Sequence, residues 1–245
     1  MSTAHPLTDL EAGTRLTDLE AGTRLTNLKA GTRLTSVVIG GPAGRLEGLL
    51  HERHGAPPAL AALVCHPDPS RGGTMHNKVV HRVASSLHEL GAAVLRFNFR
   101  GVGASEGAYD QGAGELEDAR AALAFLRARH PGARLWLAGF SFGAWVAARL
   151  TASDAAAERV ILVAPPVATE SFEVLARSPT PKHVIQGAAD DVSPLAQLER
   201  EFPGWSEPKQ LLIVPGANHF FDRHLGALSE ALSQALSGLA EGVPS

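Results

Sequence analysis

The sequence predicts an α/β protein: a mostly parallel central sheet, opened by an antiparallel N-terminal hairpin, with helices on both faces. Three observations carry this expectation. Apolar runs of strand length alternate with segments of helical periodicity along most of the chain. Several of those runs are continuously apolar rather than alternating, the pattern of strands buried on both faces. The 245 residues suffice for one sizeable α/β domain and not comfortably for two.

The elements follow in order. SVVIG and RLEGLLHE flank the turn sequence GPAG and read as the hairpin. ALAALVCH, Ala59 to His66, is the first buried strand. Val79, Val80, Val83, Leu87 and Leu90 recur at helical spacing between Lys78 and Leu90. AAVLRFNF, Ala92 to Phe99, is the next strand, and Glu115 to Arg129 the next helix. Arg134 to Gly139 is a strand leading directly into a helix from Phe142 to Leu150. Three further strands are expected at Arg159–Ala164, His183–Gly187 and Gln210–Gly216, with helices over Pro194–Glu201 and Leu225–Leu239. In such sheets the chemistry collects in loops at the carboxyl ends of the strands.

Residues 1–35 stand apart. TDLEAGTRL runs from Thr8 to Leu16, recurs from Thr17 to Leu25, and returns as TNLKAGTRL from Thr26 to Leu34. Nine helical steps of about 100° put equivalent leucines on opposite faces, so no continuous apolar stripe forms. An odd period also flips faces on a strand. The expectation is a loosely ordered extension of nonapeptide repeats, with an oligomerisation or docking arm as the alternative, followed by a catalytic domain over 36–245.

Bulk properties exclude several functions. Charged residues make up 19% of the chain, the formal net charge is -3, and no basic stripe appears, so nucleic acid is not an expected partner. No apolar run approaches the roughly 18 residues that span a bilayer. No signal segment is visible at the N-terminus, and the expected localisation is cytoplasmic. Cys65 is the only cysteine, so no internal disulfide framework exists. It lies in an apolar strand and reads as core rather than nucleophile.

The chemistry-bearing motif is Gly139-Phe140-Ser141-Phe142-Gly143, a G-x-S-x-G between an apolar strand and a helix. A serine on so sharp a strand–turn–helix bend exposes its hydroxyl, and glycines two residues away on either side relieve collisions with the backbone. Such a hydroxyl needs a base. Among eleven histidines, His219 in VPGANHFF follows the last apolar strand, at the same end of the sheet as the bend. His183 begins a strand at the opposite end, and His51, His54, His81, His88, His130 and His224 read as surface residues. The orienting acid is expected in GAADDVSP, after the strand HVIQG. Asp190 is favoured over Asp191, which could instead cap the helix near Pro194.

With these motifs the chain from about Ser36 onward resembles the α/β-hydrolase superfamily, and is similar to its small, lidless bacterial serine esterases. The residues carrying the resemblance are His66-Pro67-Asp68-Pro69, Arg71-Gly72-Gly73-Thr74-Met75, Arg96-Phe97-Asn98-Phe99-Arg100-Gly101, GFSFG, GAADDVSP and GANHFF. The chain order Ser141, Asp190, His219 is the order of that superfamily's triad. The resemblance implies hydrolysis of carboxylic esters through an acyl-enzyme, with no cofactor. Cap domains of the superfamily commonly enter where this chain has only about 18 residues, between RVILVA and HVIQG. An open cleft is therefore expected, with rim contacts from Phe140, Phe142, Tyr109 and the 165–180 segment.

The oxyanion donors are expected to be the backbone N–H groups of Phe142 and Asp68, since Pro67 and Pro69 have none. GVGASEG fails as a dinucleotide loop because Glu106 stands where glycine is required. His76, His81 and His88 match no familiar metal-ligand spacing. The expected partner is a small-molecule ester, with a homodimer through a sheet edge or the N-terminal arm compatible with the sequence. An amidase, peptidase or thioesterase using the same three residues is the alternative, and a non-catalytic binding protein a more distant one.

Overall fold

The computed structural model describes residues 31–153 and 157–237. The nonapeptide repeats up to Ala30 lie outside the described residues, so their expected looseness has no structural counterpart here. Eight strands form one sheet: β1 (Thr32–Gly41), β2 (Gly44–Arg53), β3 (Leu60–Cys65), β4 (Ala93–Phe97), β5 (Arg134–Phe140), β6 (Ala157–Val163), β7 (Lys182–Gly187) and β8 (Lys209–Val214). Their order is β1-β2-β4-β3-β5-β6-β7-β8. β1 and β2 pair antiparallel, β2 meets β4 antiparallel, and every later pairing is parallel. The hairpin is longer than expected, because β1 begins at Thr32, inside the third repeat, where Thr32 pairs with Arg53.

Five helices cover the sheet: α1 (Lys78–Glu89), α2 (Ala113–Arg129), α3 (Phe142–Ser153), α4 (Leu195–Glu201) and α5 (Leu225–Leu236). α2 and α3 pack on one face, α1 and α5 on the other. The two cores explain why the strands read as unbroken apolar runs. In β3, Ala61, Leu63 and Cys65 join the α2/α3 core, while Leu60, Ala62 and Val64 join the α1/α5 core. Each side chain alternates face, yet both faces are apolar. Burial of α1 follows its stripe: Val79, Val80, Val83 and Leu87 are enclosed, and Asn77 caps the helix by accepting from the Val79 N–H at 2.9 Å. No helix among the described residues is long and apolar enough to cross a membrane.

β4 and β5 lie on opposite sides of β3. The chain therefore reverses its winding direction there, and a crevice opens beyond the carboxyl ends of these strands. The link from β6 to β7 contains only one short 3₁₀ turn, Glu173–Ala176. Among the described residues, no cap domain stands over that crevice.

Candidate active site

β5 delivers Ser141 at its carboxyl end. The residue sits at φ 53, a left-handed conformation that costs a non-glycine residue on the order of 1–3 kcal/mol and persists only where packing enforces it. The enforcement is visible on both sides. A Cβ on Gly139 would stand 2.0 Å from the Gly143 carbonyl oxygen, and one on Gly143 would stand 2.3 Å from that of Cys65. Only glycine fits at either position. The bend is thus pressed against the end of β3, which brings the loop after β3 beside the serine. The Ser141 N–H donates to the Val163 carbonyl at 2.9 Å and ties the bend to β6.

His219 arrives from the loop after β8. Ala217, Phe221 and the β7 loop hold that loop: Ala189 N–H donates to Ala217 O at 2.9 Å, and the Phe221 side chain is fully enclosed in the α1/α5 core. Asn218 and Asp222 clasp each other, with Asp222 N–H donating to Asn218 Oδ1 at 2.9 Å and Asn218 Nδ2 to Asp222 Oδ2 at 3.0 Å. Lys78, at the start of α1, pairs with Asp222. The imidazole is buried, and the Ser141 hydroxyl lies 3.0 Å from its Nε2.

The opposite ring nitrogen, Nδ1, lies 2.9 Å from Asp190 Oδ2. A carboxylate there fixes the tautomer: Nδ1–H donates to Asp190, leaving Nε2 to accept from the serine. Asp190 is buried and fully engaged. Its Oδ1 accepts from the Val192 N–H at 2.9 Å and the Ser193 N–H at 2.7 Å, and its Oδ2 also accepts from Gln186 Nε2 at 2.9 Å. Asp191 is exposed. It does not cap α4, whose N-cap position is Pro194 with no side-chain hydrogen bond, because that helix starts too far along the chain.

The loop after β3 is organised by His66, a residue of the resemblance motifs to which the sequence assigned no role. His66 is fully buried, with Nδ1 2.7 Å from the Pro67 carbonyl and Nε2 accepting from the Phe99 N–H at 3.1 Å. Both ring nitrogens are committed in the neutral form, and burial lowers the pKa to about 4. The Asp68 carboxylate turns away toward the Ser70 N–H and hydroxyl, both at 2.8 Å, and Arg71 Nε at 3.6 Å. The N–H of Phe142 lies in the first turn of α3, where backbone donors have no intrahelical acceptor.

The expected rim needs correction. Phe140 is 0% exposed, because β5 runs one residue further than expected and alternation sends position 140 into the α1/α5 core beneath His219. The Phe142 ring is buried too, in the α2/α3 core. Tyr109 is 39% exposed, its ring 6.3 Å from that of Phe142. Its loop is pinned by the buried Glu115 carboxylate, which accepts from the Asp110 N–H at 2.9 Å and the Gly112 N–H at 2.7 Å. Two of the supposed surface histidines, His88 and His130, are buried as well. His88 stacks on His51 with ring centroids 3.6 Å apart, and His130 faces Glu52. Cys65 is enclosed as expected, and burial pushes its thiol pKa up.

A serine on a strained strand–helix bend, a histidine within hydrogen-bond reach of it and this topology define an α/β serine hydrolase without a lid. Comparison with known proteins agrees. The chain belongs to the hydrolase family described as serine aminopeptidase, S33, whose model matches residues 63–201. An uncharacterized protein of Rickettsia prowazekii is 39% identical over 211 residues, covering 82% of this chain and 87% of its own. An α/β serine hydrolase homologue from Coxiella burnetii is 40% identical, with a TM-score of 0.79 over 83% of this chain and 97% of its own. A lidless α/β serine hydrolase from Xanthomonas campestris is 36% identical, with a TM-score of 0.78 over 86% and 96%.

Proposed function

We propose that the protein hydrolyses carboxylic esters of small molecules through an acyl-enzyme, with Ser141 as nucleophile, His219 as general base and Asp190 as orienting acid. The observation that carries this is the unbroken line from Ser141 Oγ to His219 Nε2 at 3.0 Å and from His219 Nδ1 to Asp190 at 2.9 Å. In the first half-reaction the serine oxygen bonds to the ester carbonyl carbon while its proton passes to Nε2. The carbonyl oxygen becomes an oxyanion, for which the Phe142 and Asp68 N–H groups are the proposed donors. The imidazolium, stabilised by Asp190, then protonates the departing alcohol oxygen as the carbon–oxygen bond breaks. A water molecule repeats the sequence on the acyl-enzyme and restores the serine.

Two observations favour the ester reading. The β6–β7 link is too short to hold a cap, and three of the five large hydrophobic side chains exposed among the described residues, Tyr109, Val192 and Phe220, belong to loops around these groups. A second reading, cleavage of amide or peptide bonds, is favoured by the family description itself. The chemistry up to leaving-group departure is shared, so substrates must separate them. p-Nitrophenyl esters of graded acyl length should turn over at least about a hundredfold faster than the matched p-nitroanilides and aminoacyl anilides. Faster turnover of the anilides would replace the ester reading with the peptidase one.

A further inference from the structure

We infer that Phe220 is a specificity-determining residue that binds the departing alcohol, so that the enzyme favours esters of apolar, ring-bearing alcohols. The inference rests on the ester reading above. Its geometric basis is the direction in which the leaving group must lie. The departing oxygen takes its proton from His219 Nε2, and that atom is 3.0 Å from Ser141 Oγ. An ester bonded to Ser141 therefore places its alcohol part over the imidazole, whichever acyl group it carries.

Phe220 stands against that imidazole. Its ring is edge-on to the imidazole, with centroids 5.1 Å apart and planes at 87°, and it also meets Phe140 edge-to-face at 6.2 Å. These contacts fix the ring without enclosing it. Phe220 is 44% exposed, whereas Phe140 and Phe221 are at 0%. A lone exposed apolar residue is ordinary on a protein surface. Phe220 is not alone, because Val192, also 44% exposed, stands in the acid loop, its N–H bound to Asp190 at 2.9 Å. An aromatic face and a branched aliphatic group thus flank the base and its acid. An alcohol carrying a ring would cover both and gain offset or edge-on contact with Phe220, while a short alcohol would reach neither.

The test uses two acetate esters whose alcohols have similar acidity, ethyl acetate and 3-phenylpropyl acetate, on the wild type, Phe220→Ala and Phe220→Leu. The expected result is a kcat/KM for 3-phenylpropyl acetate reduced about tenfold in Phe220→Ala, with an intermediate loss in Phe220→Leu. The loss for ethyl acetate should stay within about threefold. The deacylation rate, read from the steady phase after a p-nitrophenyl acetate burst, should hold, because the alcohol has left by then. Equal losses for both esters with slowed deacylation would overturn the inference and leave Phe220 as a prop for the imidazole. Unchanged discrimination in both variants would overturn it as well. A wild type that cleaves neither ester would instead sink the ester reading on which it stands.

Discussion

Two adjacent aspartates follow β7, and Asp190 is the one that meets the imidazole, while Asp191 is exposed. Asp190 accepts four hydrogen bonds in a buried setting, two of them from backbone N–H groups that cannot move away. Replacing it with asparagine leaves two of those donors facing an amide NH₂, whichever way the amide turns, and removes the charge beside the imidazole. Asp190→Asn should lower kcat by about a thousandfold or more, against less than about threefold for Asp191→Asn, in steady-state ester assays. The sequence singled out Ser141 and His219 by their motifs and favoured Asp190 over Asp191, and the structure places these three side chains within hydrogen-bond reach. The placements of Phe140 and Phe220 were not legible. Strand alternation decides which way position 140 points, and that depends on β5 ending at 140 rather than 139. In Phe220-Phe221, nothing local says which ring enters the core; the left-handed backbone at Phe221 settles it, with φ 51.

At the scale of elements, β3 and β4 exit side by side, and His66 joins their loops. The Pro67 carbonyl accepts from its Nδ1–H, and the Phe99 N–H depends on its neutral ring, whose Nε2 must accept. Its pKa is about 4 in the fold against the usual 6.5, so between those values the unfolded chain binds a proton that the folded chain refuses. Stability contributed by this residue is therefore fully present above pH 6.5 and falls as the pH drops toward 4, by about 3 kcal/mol in all. His51, half-buried against His88 and also held near 4, adds to the same slope. Urea midpoints of the wild type should fall between pH 7 and pH 4.5, and His66→Gln should be less stable at pH 7 yet lose less on acidification. An equal loss in both proteins would show that His66 does not bear the proton linkage. Element types and order were readable from periodicity because both sheet faces are apolar. The role of His66 was hidden because its partners are main-chain groups, 33 residues apart in the case of Phe99.

The described residues form a sheet whose winding reverses at β3, so loops far apart in sequence meet at one end. Strand–helix alternation announced that architecture, and the short β6–β7 link announced the uncapped crevice. The extent of the hairpin was less legible, since Thr32 to Leu34 belong to a nonapeptide repeat yet pair with His51 to Arg53. Pairing with a partner strand, not local composition, makes them a strand. The convergence of β5, β7 and β8 brings His219 within hydrogen-bond reach of both Ser141 and Asp190. The most direct measurement is labelling by a fluorophosphonate probe with peptide mapping and rates. The label should fall on Ser141, disappear in Ser141→Ala, and form at least about a thousandfold more slowly in His219→Ala. Labelling at wild-type rate without His219, or on a different serine, would contradict the account.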